Sequence, residues 1–151
     1  MLLDRHSLEV AASPERVFAE VERVGGSAGW PAANVLWRIR GLIDHIVGGV
    51  GMRPGRRDTE RLHVGDVLDF WRVEALDRPH LLRLRAEMRV PGRAWLQFDV
   101  EPTSVGSRLT QTAYFQPSGP AGYAYWYLLL PLHNPIFRSM VHALARRATT
   151  I

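Results

Sequence analysis

Residues 81–90 read LLRLRAEMRV, and this short stretch restricts the fold of the 151-residue chain more tightly than any other. Leu82, Leu84, Ala86, Met88 and Val90 alternate with Arg83, Arg85, Glu87 and Arg89. A period of two sends the two sets to opposite faces of a strand, so the segment belongs in a half-buried antiparallel sheet with an apolar inside and an arginine-rich outside. RAWLQFDVEP, from Arg93, repeats the pattern with Ala94, Leu96, Phe98 and Val100, and SRLTQTAYFQP continues it from Ser107. DVLDFWRVEAL, from Asp66, reads as one further strand ahead of them. Short Pro- and Gly-containing turns join the four into a meander whose apolar face needs a cover.

Residues 122–148 supply it as a long helix. Phe137, Met140, Val141, Leu144 and Ala148 form an apolar stripe opposite Arg138, His142 and Arg146. The first half, GYAYWYLLLPLHNPIF over residues 122–137, is apolar almost all round. About a dozen such residues reach roughly 18 Å as helix, against a bilayer core near 30 Å, so a membrane anchor is not expected. A core helix and the lid of a cavity remain, and the excess of apolar surface favours the lid. Pro131 and Pro135 cannot donate to the carbonyls of Tyr127 and Pro131, so the helix bends or breaks there. Asn134 and Pro135 would suit a cap and first turn if it restarts.

Ahead of the meander, residues 6–12 read as a strand with Leu8, Val10 and Ala12 on one face. A helix follows, with Ser13 as cap, Pro14 at its first position, Glu15 at the positive end of its dipole, and Val17, Phe18, Val21 and Val24 on one side. Gly25 and Gly26 end it. A second helix is expected over residues 30–47, with Leu36, Ile39, Ile43, Ile46 and Val47 as its stripe and Arg40 and Asp44 paired outside. Residues 48–66 form a long connection, which in a small domain is functional or mobile.

With 46% hydrophobic and 23% charged residues, residues 1–151 form one globular domain. The chain has no cysteine, which excludes disulfides and thiolate metal sites. Its first residues lack the apolar core of a signal peptide, and a cytoplasmic protein without stable membrane insertion is expected. Every basic residue is arginine and the net charge is +4. Those arginines follow no nucleic-acid reading motif, and alternation places one series on a solvated sheet face, so nucleic acid is not an expected partner.

GGVGMRPGRR, over residues 48–57, resembles an anion site, but it follows a helix where phosphate loops precede one, and it reads as a solvated hinge. The six histidines show no metal-ligand spacing, so no metal or cofactor is expected. No Gly-x-Ser-x-Gly elbow occurs. Acid–base chemistry falls to polar groups that parity turns inward: Asp69, alongside Val67, Trp71 and Val73, and Gln111, alongside Leu109, Ala113 and Phe115. Asp69 is then a structural partner of an arginine or tyrosine, or a working acid or base. Trp30, Trp37, Trp71, Trp95, Tyr123, Tyr125, Trp126 and Tyr127 fill core or wall a cavity.

Strand, paired helices, meander and long terminal helix together resemble the helix-grip fold of the START and Bet v 1 type (SRPBCC) proteins. That resemblance implies an α+β domain: a curved antiparallel sheet wrapped around a long C-terminal helix over a cavity, with two shorter helices after the first strand. SPERVF, GDVLDFWRVEAL, LLRLRAEMRVPGRAWLQFDVEP and SRLTQTAYFQPSG carry it over nearly the whole chain. LWRIRGLIDHIVGGVGMRPGRRD, VGDVLDFWRVEAL and YWYLLLPLHNPIFRSM further resemble the DUF2867 group, whose members often follow a Rossmann domain of the short-chain dehydrogenase type. No strand leading into a Gly-x-Gly-x-x-Gly turn and a helix is present, so nicotinamide chemistry is not implied.

Three functions fit that resemblance. The first is a carrier or sensor of a small hydrophobic molecule, with Trp71, Met88, Phe98, Gln111, Tyr123, Trp126, Tyr127, His133 and Phe137 as ligand contacts. The second is an enzyme of the cyclase, aromatase or hydratase kind, using Asp69, Gln111 or His133. The third is a module that docks on a separate Rossmann-type dehydrogenase. A homodimer is compatible with each. Tyr127 and His133, beside the prolines, are expected to supply polar contact where a ligand enters.

Overall fold

Six strands form one antiparallel sheet in the computed structural model, which describes residues 1–24, 46, 61–68, 71–87 and 90–149. They are β1 (Leu2–Val10), β2 (Val67–Leu68), β3 (Trp71–Asp77), β4 (Leu81–Ala86), β5 (Gly92–Thr103) and β6 (Gly106–Pro117). Helix α1 (Pro14–Glu22) follows the first strand, and α2 (Gly119–Thr149) ends the chain. The order across the sheet is β1-β6-β5-β4-β3-β2. β2 to β6 make the expected meander, while β1 returns beside the last strand, where α2 begins. Helix α2 packs on β1, β6 and α1.

Cross-strand partners share a face, so the pairing defines inner rows. One runs Leu82, Phe98, Gln111, His6, and the next Val73, Leu84, Leu96, Ala113, Asp4. Leu82, Leu84, Leu96 and Phe98 have no accessible surface, as their alternation required. The outer face is a polar mesh. Arg72 donates to Glu87 at 2.9 Å, Arg83 donates to Gln97 at 2.9 Å, and Arg85 lies 3.7 Å from Glu87. The hydrogen bond to Glu87 raises the pKa of Arg72.

One strand was expected over DVLDFWRVEAL, and two are found. Leu68 pairs with Trp71 and Val67 with Arg72, so the chain reverses between β2 and β3. Parity holds only within a strand, and a reversal resets it. Val67 therefore shares the face of Arg72 and not that of Trp71, and parity cannot turn Asp69 inward beside both. Asp69 itself lies outside the described residues, as does Met88.

Helix α1 starts as its sequence dictates: the Ser13 side chain accepts from the backbone N–H of Arg16 at 3.3 Å, and Pro14 opens the first turn. Val17, Phe18, Val21 and Val24 are buried. At its end the buried Glu22 accepts from Arg78 at 2.6 and 2.9 Å and from the backbone N–H of Leu62 at 3.0 Å. That bond raises the pKa of Arg78 against a desolvation that lowers it, and the pair ties α1 to the β3–β4 turn. Of the expected second helix, Ile46 is helical and, instead of belonging to a buried stripe, 73% exposed. The rest of that helix lies outside the described residues, with Trp30, Trp37, the Arg40–Asp44 pair and the hinge at 48–57.

Helix α2 runs unbroken for 31 residues through both prolines, which removes the restart at Asn134. Pro131 and Pro135 are exposed, so the carbonyls they leave without a helical donor sit on the solvent side, where water can serve them. Gly122, Trp126, Phe137, Met140, Val141, Leu144 and Ala148 make one buried stripe along the helix. Gly122 allows the close approach at its start: a Cβ there would lie 2.5 Å from the Pro91 carbonyl oxygen. No helix among the described residues is long and apolar enough to cross a membrane.

Candidate functional site

The described inner face is mostly apolar; its buried polar side chains include Ser107, which donates to the Ala12 carbonyl at 2.7 Å, and a group at one end of two rows. Asp4 and His6, on β1, share the face of Leu8 and Val10, and Gln111 on β6 stands opposite His6. Asp4 is 7% exposed and Gln111 is fully buried. His6 Nε2 lies 3.0 Å from Asp4 Oδ1, and Asn134, from the middle of α2, donates its amide N–H to the same oxygen at 3.2 Å. A carboxylate taken into a protein interior needs such partners, and this one draws them from a strand and a helix 130 residues apart in sequence. Asn134 in turn accepts from Arg138 at 3.4 Å.

Atoms of three side chains are not satisfied in this way: His6 Nε2, though close to Asp4, makes no hydrogen bond among the described residues. Among the described residues, neither atom of the Gln111 amide nor Asp4 Oδ2 meets a hydrogen-bond partner. A buried amide left unpaired costs about 1–3 kcal/mol. Phe98 stands beside Gln111 in the same row.

Aromatic rings continue this wall along α2. Trp126 stacks on Phe115 with centroids 5.9 Å apart and planes 5° apart, and His133 meets the edge of Trp126 at 6.2 Å and Phe137 at 5.0 Å. Trp71, Phe98 and Phe137 belong to one buried cluster. The structure thus gathers Trp71, Phe98, Gln111, Trp126, His133 and Phe137 on the inner side. Tyr123 and Tyr127 are 51% and 59% exposed, because a single helix turns only one stripe to the sheet. Leu128, in the expected lid, is 79% exposed. Beside the prolines, Asn134 bonds to Asp4 within the protein, a contact separate from the one expected of Tyr127 and His133 toward a ligand.

Asp4, His6 and Asn134 were not candidates in the sequence. Extending the parity of Leu8 and Val10 back by two and four residues would have found His6 and Asp4. Trp95 lies on the outer face in a depression of about 280 Å³ with Glu74, Arg83, Gln97 and Tyr114. There its indole N–H donates to Glu74 at 3.2 Å, Arg83 pairs with Gln97 and Glu74, and the Tyr114 hydroxyl accepts from Arg5. No group of three or more potential metal ligands converges among the described residues.

An inner face gripped by a long C-terminal helix defines the helix-grip class, and comparison with known structures agrees. DynU16, from the dynemicin biosynthetic locus, superposes with a TM-score of 0.60 at 14% identity over 98% of this chain and 47% of its own. Norcoclaurine synthase from Thalictrum flavum gives 0.56 at 14% identity over 96% and 84%, and protein CV1439 from Chromobacterium violaceum 0.55 at 16% over 99% of each. At such identities the likeness establishes the fold alone. The chain belongs to the DUF2867 family, described as a protein of unknown function, whose model matches residues 1–140. No curated protein matches it.

Proposed function

We propose that this domain binds a small, mostly apolar molecule between the inner face of its sheet and helix α2. The observation that carries the proposal is Gln111: a fully buried amide with both atoms unpartnered among the described residues, between Phe98 on one side and His6 on the other. Ligand sites are walled in this manner, with a few polar groups fixing orientation in an apolar surround. Helix α2 packs against β1 and against β6, the strand that carries that amide, which supports the reading. Mass spectrometry of natively purified protein tests this directly. A single apolar species retained in native spray and released on denaturation is expected; protein that carries none, and takes up none from an apolar extract of its host, contradicts the proposal.

The contact between His6 and Asp4 favours a second reading, in which the bound molecule is also turned over, since an imidazole beside a carboxylate is an ordinary general base. His6→Phe that binds the recovered molecule but loses its conversion would establish the enzyme. Recovered molecule left unchanged by the wild type leaves the carrier alone.

A further inference from the structure

The unsatisfied groups also restrict what the ligand carries, an inference that rests on the binding reading above. Asp4 Oδ1 accepts from Asn134 and lies 3.0 Å from His6 Nε2, while the buried Oδ2 has no hydrogen-bond partner among the described residues. Asp4 stands opposite Ala113, and Gln111 opposite His6, so Asp4 and Gln111 are diagonal neighbours across β1 and β6. Diagonal positions in an antiparallel pair lie about 7–8 Å apart, a separation that one polar atom held between two side chains can span.

The demands of the two sides differ. A carboxylate oxygen accepts only, whereas an amide both donates and accepts. A hydrocarbon entering here would leave Asp4 Oδ2 and both Gln111 atoms unpaired, and a carboxylate ligand would set like charges together. We infer that the site selects a hydroxyl, alcohol or phenol, on an otherwise apolar molecule. Its O–H donates to Asp4 Oδ2, and the same oxygen accepts an N–H of Gln111. The amide orientation that turns the N–H groups of Gln111 toward Asp4 supplies that donor, and no hydrogen bond among the described residues holds the amide in the other orientation. Asn134 acts as a positioning residue that holds Asp4 through its other oxygen, with His6 beside it.

Three probes of one shape, 1-naphthol, naphthalene and 1-naphthoate, test this by fluorescence titration of the full chain. Wild-type protein is expected to bind naphthol on the order of tenfold more tightly than naphthalene, and naphthoate least, because a site built around polar groups penalises a ligand that leaves them unpaired. Gln111→Leu keeps the volume and removes the unsatisfied amide, so it should fold, melt no lower than wild type, and bring the naphthol-to-naphthalene ratio close to one. Asp4→Asn should narrow the gap between naphthol and naphthoate. Naphthalene bound as tightly as naphthol by wild-type protein overturns the inference and leaves the binding reading standing; a buried water serving Gln111 would give that result. A naphthol preference unchanged in both variants overturns it too. If none of the three probes binds, the inference and the reading beneath it both fall.

Discussion

In the second half of α2, Phe137, Met140, Val141, Leu144 and Ala148 are buried while Arg138, Ser139 and His142 face solvent. In the first half Gly122 and Trp126 are buried on the same stripe, but Tyr123, Tyr127, Leu128 and Leu132 are about half exposed or more. Composition alone would bury the first half more completely than the second. The structure shows that position around the helix decides: Trp126, His133 and Phe137 fall along one line toward the sheet, and Leu128 falls on the far side whatever its hydrophobicity. An apolar residue is not thereby an inner residue, and a polar one such as Asn134 is not thereby an outer one.

That contrast can be broken by substitution. Trp126→Ala should have the largest effect, a loss of about 3–5 kcal/mol in urea melts, because it removes a buried ring stacked on Phe115. Leu144→Ala, in the other half, should cost about 2–4 kcal/mol by the same cavity argument. A small loss at Trp126 with a large one at Leu144 would mean that the first half contributes little to the fold. Pro131→Ala should stabilise by about 1–3 kcal/mol, since it restores a helical donor at an exposed position in a helix that is already continuous. Destabilisation there would show that the proline is needed to fit α2 to the sheet. Leu128→Ser should change stability by no more than about 0.5 kcal/mol. A loss near that of Leu144→Ala would place Leu128 against something that the described residues do not include.

Most of the sheet was legible in the sequence because its signal is local. Leu82, Leu84, Leu96 and Phe98 alternate with polar neighbours, and the pleat turns alternation into burial without help from distant residues. The start of α1 was legible for the same reason, since Ser13, Pro14 and Glu15 act within one turn. Gln111 followed from parity inside a single strand. Asp69 lost its argument because parity was carried across the reversal between Leu68 and Trp71, which one apolar run conceals. Asn134 was hidden more thoroughly. Its partner is Asp4, and nothing near either residue reports a contact made only when the first strand returns beside the last and the terminal helix lies over both.

Methyl-resolved NMR during a titration with 1-naphthol tests most directly that binding belongs to the inner stripe of α2 and the sheet it faces. Ring currents from a bound naphthol should shift the methyl signals of Leu96, Met140 and Ala113 on the inner side and leave those of Leu128 and Leu132 in place. Shifts confined to Leu128 and Leu132 would put the ligand on the exposed half of the helix and contradict the account.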